Sequence, residues 1–476
     1  MSRTWNAMAV PHLYKSVLLS MRVRNPIDFL RGRHQDRLAQ DRSLSSKLLD
    51  PSNEDLRDAV HELEFGRFNP RDVDGIEQRL AALVDSLLKL QRVKYGGLSQ
   101  DVLRQLDRHS KRLLLYMLGE DGKRAVEGEL RSVVTLAAKV DPFNVGVDRG
   151  PNRDFLGMQA LFFACPNLKS FSLTILLDYG GCSPRFPTSG TLFSFQLFSD
   201  GRSFPPLEEL SLNGYKLSHN EERQWIEKLQ WPSSRSLSLG PQNTTTFLLF
   251  ASDHPTSLRD LTVQVYSDDA HGQDVLEDYL VKRTSLESLI VKGYDISPSI
   301  VGLHAGVKHL CLHSFEPVQR SQKRPAFGPT QLRELDASCP NLETLEILIE
   351  RNGAWPPELP ILATSFKNLR RLTLHLGLGI GSVEVRREPE GFAQVSGKLI
   401  EPVLTKDSAK DIGKRFFDWR SSSLLSSMGS SKLSLLWEPA YAQFERKYAE
   451  TIEVHWPIGP GGEPKIVVLP KDPWEF

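Results

Sequence analysis

The sequence is short of cysteine, of long apolar runs and of a surplus of either charge. Cys165, Cys182, Cys311 and Cys339 are the whole cysteine complement of 476 residues. They are too few and too scattered to frame a disulfide-stapled fold, and a reducing compartment, cytoplasmic or nuclear, fits that usage. No stretch reaches the roughly 20 apolar residues that a spanning helix needs, so no membrane partner is expected. The start, interrupted by Pro11 and His12, lacks the continuous apolar core of a signal peptide. Arg3, Lys15, Arg22 and Arg24 are met before the first acid, Asp28, which leaves a mitochondrial presequence as a lesser alternative. Lys plus Arg equals Asp plus Glu, 59 against 59. A general nucleic-acid binder needs net positive charge, so no nucleic-acid partner is expected either.

Catalytic signatures are missing too. There is no G-x-S-x-G, P-loop, H-E-x-x-H or C-x-x-C. Gly377-x-Gly379-x-Gly381 differs in spacing from the dinucleotide fingerprint and leads into β-prone Val383 and Val385, which suits a turn leaving a repeat. His309, Cys311 and His313 alternate with Leu310 and Leu312 and so share one strand face, with His304 close in sequence. A second ligand pair at zinc-finger spacing is lacking, and a ligand-free surface patch is the better reading. The expectation is a protein that is not an enzyme, with no catalytic residues, metal or cofactor.

What the chain does have is a repeat. Cys165 to Thr174 reads CPNLKSFSLT and Cys339 to Leu348 reads CPNLETLEIL. The spacing L-x-x-L-x-L returns at Leu207-Leu210-Leu212, Leu258-Leu261-Val263, Leu286-Leu289-Val291, Val307-Leu310-Leu312 and Leu369-Leu372-Leu374, and more weakly at Ser234-Leu237-Leu239. Steps between units run from 21 to 39 residues, mostly within or near the ~20–29 of leucine-rich repeats. In each unit the last two apolar residues, two apart, share one face of a short strand, and their neighbours share the other. One strand cannot bury its leucines alone. A stack can, at roughly 1.5–3 kcal/mol for each large aliphatic side chain buried.

The fold expected is therefore α/β: a leucine-rich-repeat solenoid, a horseshoe with irregular repeats. Residues 26–150 read as irregular N-terminal helical and strand repeats, with Val60, Leu63 and Phe65 as a first unit. Ile76 to Leu88 and Val102 to Leu106 have helical spacing; Leu113 to Met117 and Val133 to Leu136 read as strands. Residues 151–456 form the solenoid proper, lengthened by insertions at 179–205 and 316–330. The second insertion has a basic cluster, Arg320, Lys323 and Arg324, expected as solvated surface. Ala409, Ile412, Phe416 and Trp419 predict a late helix, Leu433 to Trp437 and Ile452 to His455 late strands, and 457–476 a proline-rich tail.

If the strands stack, the residues between the leucines line a polar wall of mixed charge that suits a protein partner. Ser172, Glu209, Ser211, Asp260, Thr262, Ser288, His309, Cys311, Thr344, Glu346, Arg371 and Thr373 are its candidate binding residues.

Residues 1–25 carry a resemblance. Trp5-Asn6, Ala9, Pro11 and Leu13-Tyr14, followed by a short β-prone run, resemble the end of an F-box in fungal F-box proteins with leucine-rich repeats. In that family a Leu-Pro opening and an apolar helix come first. None precedes Met1, so an incomplete F-box, a short helical remnant, is expected. The resemblance implies a substrate-recognition subunit of a cullin-based ubiquitin ligase, within the ubiquitin-conjugation pathway. Trp5, Pro11, Leu13 and Tyr14 would face the Skp adaptor, with cullin beyond it, and the wall would hold the protein substrate. The alternative is an adaptor-independent repeat scaffold that has lost its F-box.

Overall fold

The computed structural model describes residues 15–19, 47–50, 52–65, 81–95, 100–109, 112–118, 128–140, 153–175, 204–215, 224–225, 227–241, 243–252, 254, 257–265, 269–283, 286–294, 296–313, 327–349, 354–377, 384–387, 393–396, 405–422, 432–438, 450–455 and 465–469. The F-box-like residues Trp5 to Tyr14, most of both insertions, the Gly379–Gly381 turn and residues 76–80 of the first expected helix lie outside them. The chain divides into two compact units, Met1–Asn243 with His254–Thr256, and Thr244–Asp253 with Ser257–Phe476.

In the first unit the strands are β1 (Ser16–Leu19), β2 (Glu62–Phe65), β3 (Arg92–Tyr95), β4 (Leu113–Leu118), β5 (Val133–Val140), β6 (Ser170–Ile175), β7 (Glu209–Asn213) and β8 (Ser236–Leu239). They pair in chain order and every pair is parallel. The array opens at β1, one rung before the Val60–Phe65 unit. The register puts Val17, Leu63, Val93, Leu115, Leu136, Phe171, Leu210 and Leu237 in one continuous row, and all are buried. Helices α1 (Glu54–Ala59), α2 (Gln100–His109) and α3 (Arg153–Ala164) precede β2, β4 and β6 in the chain. The 39-residue step from Lys169 to Glu208 is closed by an aromatic cluster: Phe162, Phe171, Phe204 and Trp225 pack with ring centroids 4.7 to 6.5 Å apart. Gly214, just after β7, has φ +70 and lies against the Ile175 carbonyl, a place no Cβ can occupy.

The second unit continues the plan with β9 (Asp260–Gln264), β10 (Ser288–Lys292), β11 (His309–His313), β12 (Thr344–Ile349) and β13 (Arg371–Gly377), all parallel. Leu261, Leu289, Leu310, Leu345 and Leu372 form one buried row, and Val263, Val291, Leu312, Ile347 and Leu374 a second. A hairpin of β14 (Glu384–Arg387) and β15 (Ala393–Ser396) follows. Then β16 (Lys432–Glu438) pairs parallel with β13, and β17 (Glu450–His455) and β18 (Lys465–Leu469) add antiparallel strands. The tail expected as proline-rich and irregular thus carries a strand.

Between these strands run α4 (Thr244–Ala251), α5 (Ala270–Lys282), α6 (Pro298–Val301), α7 (Pro329–Ser338), α8 (Glu358–Thr364) and α9 (Lys406–Ser422), each packed on the next in the series. Their ends are set by local chemistry. The Asp269 side chain accepts from Gly272 N at 2.9 Å to start α5, whose Val275, Leu276, Tyr279 and Leu280 are buried. Proline stands at the first turn of α6 and α7, where its missing N–H costs nothing. The architecture is an α/β leucine-rich-repeat solenoid, because successive parallel strands deliver their alternate aliphatic residues to shared buried rows.

The CPNL motif has a structural reason. Cys165 and Cys339 are buried as small hydrophobes. The asparagine clips its rung to the preceding turn: Asn167 Nδ2 donates to the Arg131 carbonyl at 2.8 Å and Asn341 Nδ2 to the Ala305 carbonyl at 3.2 Å. Asn368 does the same to Pro340 at 2.8 Å.

Candidate protein-binding wall

The alternation that sends leucines inward sends their neighbours outward, and the register collects them in rows. In the second unit Asp260, Ser288, His309, Thr344 and Arg371 pair successively into one row. Asp260, His309 and Arg371 are exposed there, and Ser288 and Thr344 half-buried. Thr262, Ile290, Cys311, Glu346 and Thr373 form the next row. In the first unit Ser170, Glu209 and Ser236 share a row, as do Ala137, Ser172, Ser211 and Ser238. Adjacent members of a row stand about 4.8 Å apart, so each wall is a closely ruled polar surface on a rigid backing.

All twelve expected wall residues occupy outward positions, but they are not equally open. Cys311 is only 7% exposed. It is a short thiol between Ile290 and Glu346 in its row, and longer neighbours screen it. Further along the strands Leu348 and His375, paired in register, are each 3% exposed. His375 Nε2 is 2.7 Å from Glu346 Oε1, so the outward face of β12 and β13 is closed at that end by a hydrogen-bonded pair beside a leucine. The accessible wall of this unit is therefore the row from Asp260 to Arg371 with Thr262 and Thr373 beside it.

Sequence reasoning missed the charged part of the wall. Glu62 and Arg92 meet across β2 and β3 at 2.8 Å, and Glu64 and Lys94 at 3.5 Å. The Arg92 guanidinium also lies 5.9 Å from the centre of the Tyr116 ring. The signal was available in Glu62-Leu63-Glu64 and Arg92-Val93-Lys94, where charge alternates with one aliphatic residue.

A second pattern runs along the strand starts, at the residue just after the first leucine of each unit. In the first unit Lys169 and Arg235 flank Glu208, at 2.5 and 3.8 Å. In the second, Arg259 and Lys308 flank Glu287, at 3.1 and 2.9 Å, and Arg370 is 4.0 Å from Glu343. The hydrogen bond from Lys308 holds the Glu287 carboxyl below its ordinary pKa and raises the Lys308 ammonium in return. Lys169 acts likewise on Glu208. These charges are engaged with one another and open to water, so each pair adds little stability.

Among the described residues no grouping of three His, Cys, Asp or Glu could hold a metal ion. None of the described helices is long and apolar enough to cross a membrane. Burial pushes the Cys165 thiol up, and the Cys339 thiol up to about 11, so neither is a ready nucleophile.

No protein-family model matches the sequence, and no curated protein does. Among solved structures, the chain is similar to TLR13 in the TLR13–ssRNA13 complex, with TM-score 0.26 and 14% identity over 68% of this chain. The match spans 41% of the length of that protein. It is also similar to the leucine-rich repeat-containing protein LegL7 from Legionella pneumophila, with TM-score 0.32 and 11% identity over 77% of this chain and 91% of that one.

Proposed function

We propose that the chain is a protein-binding repeat scaffold whose outward wall holds a protein target. The observation that carries this reading is the registered row Asp260, Ser288, His309, Thr344 and Arg371, polar and of both charges, backed by two buried aliphatic rows. Such a surface offers hydrogen bonds at fixed spacing, the kind of contact a protein partner uses.

The finer reading is a substrate receptor of a cullin-based ubiquitin ligase, and the resemblance of Trp5 to Tyr14 to the end of an F-box supports it. In that role the N-terminal segment reaches the Skp adaptor and the wall holds the target. The chain makes and breaks no bond; it raises the target's effective concentration near the ubiquitin-transferring enzyme. Co-purification of the full chain with the Skp adaptor and cullin tests this. Enrichment over an unrelated repeat protein is expected. Enrichment of other proteins without the adaptor would leave the adaptor-independent scaffold, and enrichment of none would remove both readings.

A further inference from the structure

We propose that the turn joining α6 to β11 is an acid-operated latch, kept shut by the neutral imidazole of His304, and that protonation loosens the rung carrying His309 and Cys311. His304 has no exposed surface. Among the described residues no group meets either ring nitrogen at full hydrogen-bonding geometry, although the Leu280 backbone of α5 lies close enough to favour a proton there. The residue sits at a junction of three rungs. Its own N–H donates to the Val301 carbonyl and its carbonyl accepts from Val307 N, both at 2.9 Å. The next residue, Ala305, accepts from Asn341 of the following rung at 3.2 Å. Two residues earlier, Gly302 packs so closely on α7 that an added Cβ would lie 2.7 Å from that of Ser338.

A neutral imidazole is tolerated in such a place, but an imidazolium with only one backbone group beside it and no carboxylate is disfavoured. Burial accordingly lowers the His304 pKa below 6.5, offset in part by the Leu280 backbone of α5, and among the described residues no charged side chain acts on the ring. The ionisable groups of the surrounding elements are turned elsewhere. Lys308 is held by Glu287 at 2.9 Å and Glu277 by Tyr294 at 2.5 Å, while Asp336, half-buried on α7, has its pKa raised by burial and only partly offset by Lys367. Asp278, Lys282, Arg333 and Glu334 are exposed on the outer faces of α5 and α7, and His309 is exposed on the wall. The Cys339 thiol, buried, lies 4.0 Å from the Val301 carbonyl.

The sign follows. The folded-state pKa is depressed, so the stability contributed by neutral His304 is complete above the unfolded value of 6.5 and is lost as pH falls below it. That window overlaps mild physiological acidification. β11 is hydrogen-bonded between β10 and β12, so loosening it disturbs the middle of the wall row. The opening stands by itself; only its consequence for a bound target rests on the proposed function.

Amide hydrogen exchange on the full chain, corrected for intrinsic rate, tests the latch without any partner. Between about pH 7.5 and about pH 5.5 the peptide 296–313 should lose protection by at least about three-fold while 153–175 keeps its own. In His304→Gln, neutral throughout, the loss should vanish. Unchanged protection in the wild type, or the same loss in the variant, would overturn the proposal. Should His304→Gln not fold, exchange of the imidazole C2 hydrogen in the wild type reads the titration directly. A midpoint below the ordinary histidine value that coincides with the loss of protection supports the latch, and a midpoint at or above that value overturns it.

Discussion

Arg420 reaches from α9 to the end of the helix before it. Its guanidinium donates to the carbonyls of Ala363 at 3.2 Å, Phe366 at 3.4 Å and Leu369 at 2.6 Å, all three at or just beyond the C-terminus of α8. The Ala363 carbonyl, in the last turn of α8, has no partner within the helix and carries part of the negative end of its dipole, while Phe366 and Leu369 belong to the turn leading to β13. The side chain is buried, and burial lowers its pKa, yet an arginine keeps its charge. Replacing it by alanine removes three buried hydrogen bonds, and we expect a loss of roughly 2–4 kcal/mol in urea unfolding. Lysine should rescue only part of that, because one ammonium cannot reproduce the fork. The buried cysteines make a simpler prediction. Iodoacetamide at neutral pH should leave Cys165 and Cys339 unmodified in the folded protein and label them after denaturation, read by peptide mass spectrometry.

At the scale of the element, the rung is a leucine pair, an asparagine clip and a helix. Leu289 and Leu310 are fully buried neighbours in one row. Shortening either to alanine should cost roughly 2–5 kcal/mol, and the double variant should fall short of or exceed the sum because the two share a cavity. Asn341→Ala removes one clip and should cost on the order of 1 kcal/mol. The leucine spacing made β6, β7 and β9 to β13 legible in the sequence, since an alternating apolar strand leaves no choice of face. It hid β3, whose Arg92-Val93-Lys94 offers one aliphatic residue and whose place is decided by β2 and β4 on either side. It also hid β18. The prolines at 464 and 470 read as an irregular tail, but they bracket the strand instead of interrupting it. That β17 and β18 run antiparallel was not legible, because alternation of side chains is the same in either direction. Nor was the closure of the wall at Cys311, Leu348 and His375, which depends on neighbours from other rungs.

For the molecule as a whole, the net charge of zero comes from composition, and part of that charge is engaged in ion pairs. Glu208 and Glu287 both have carboxyls held below the ordinary carboxylate range by lysine partners. Their contribution is present above the unfolded value near 4.5 and fades as pH falls through the folded one, so acid should lower the melting temperature in a second window below that of His304. High salt should weaken the carboxylate step and leave the His304 step in place, since exposed pairs are screened and a buried imidazole is not.

The wall is the claim on which function turns, and a paired variant reaches it without touching the core. Ser288→Arg with Thr344→Arg adds bulk and charge to the row between Asp260 and Arg371 while the leucine rows stay intact. Wild type and variant, matched for melting temperature, would be compared by quantitative affinity purification and mass spectrometry, with Lys169→Ala at the strand starts as a second control. The account predicts that the proteins held by the wild type and by the Lys169 variant are lost from the wall variant. Retention of the same proteins by all three would contradict it.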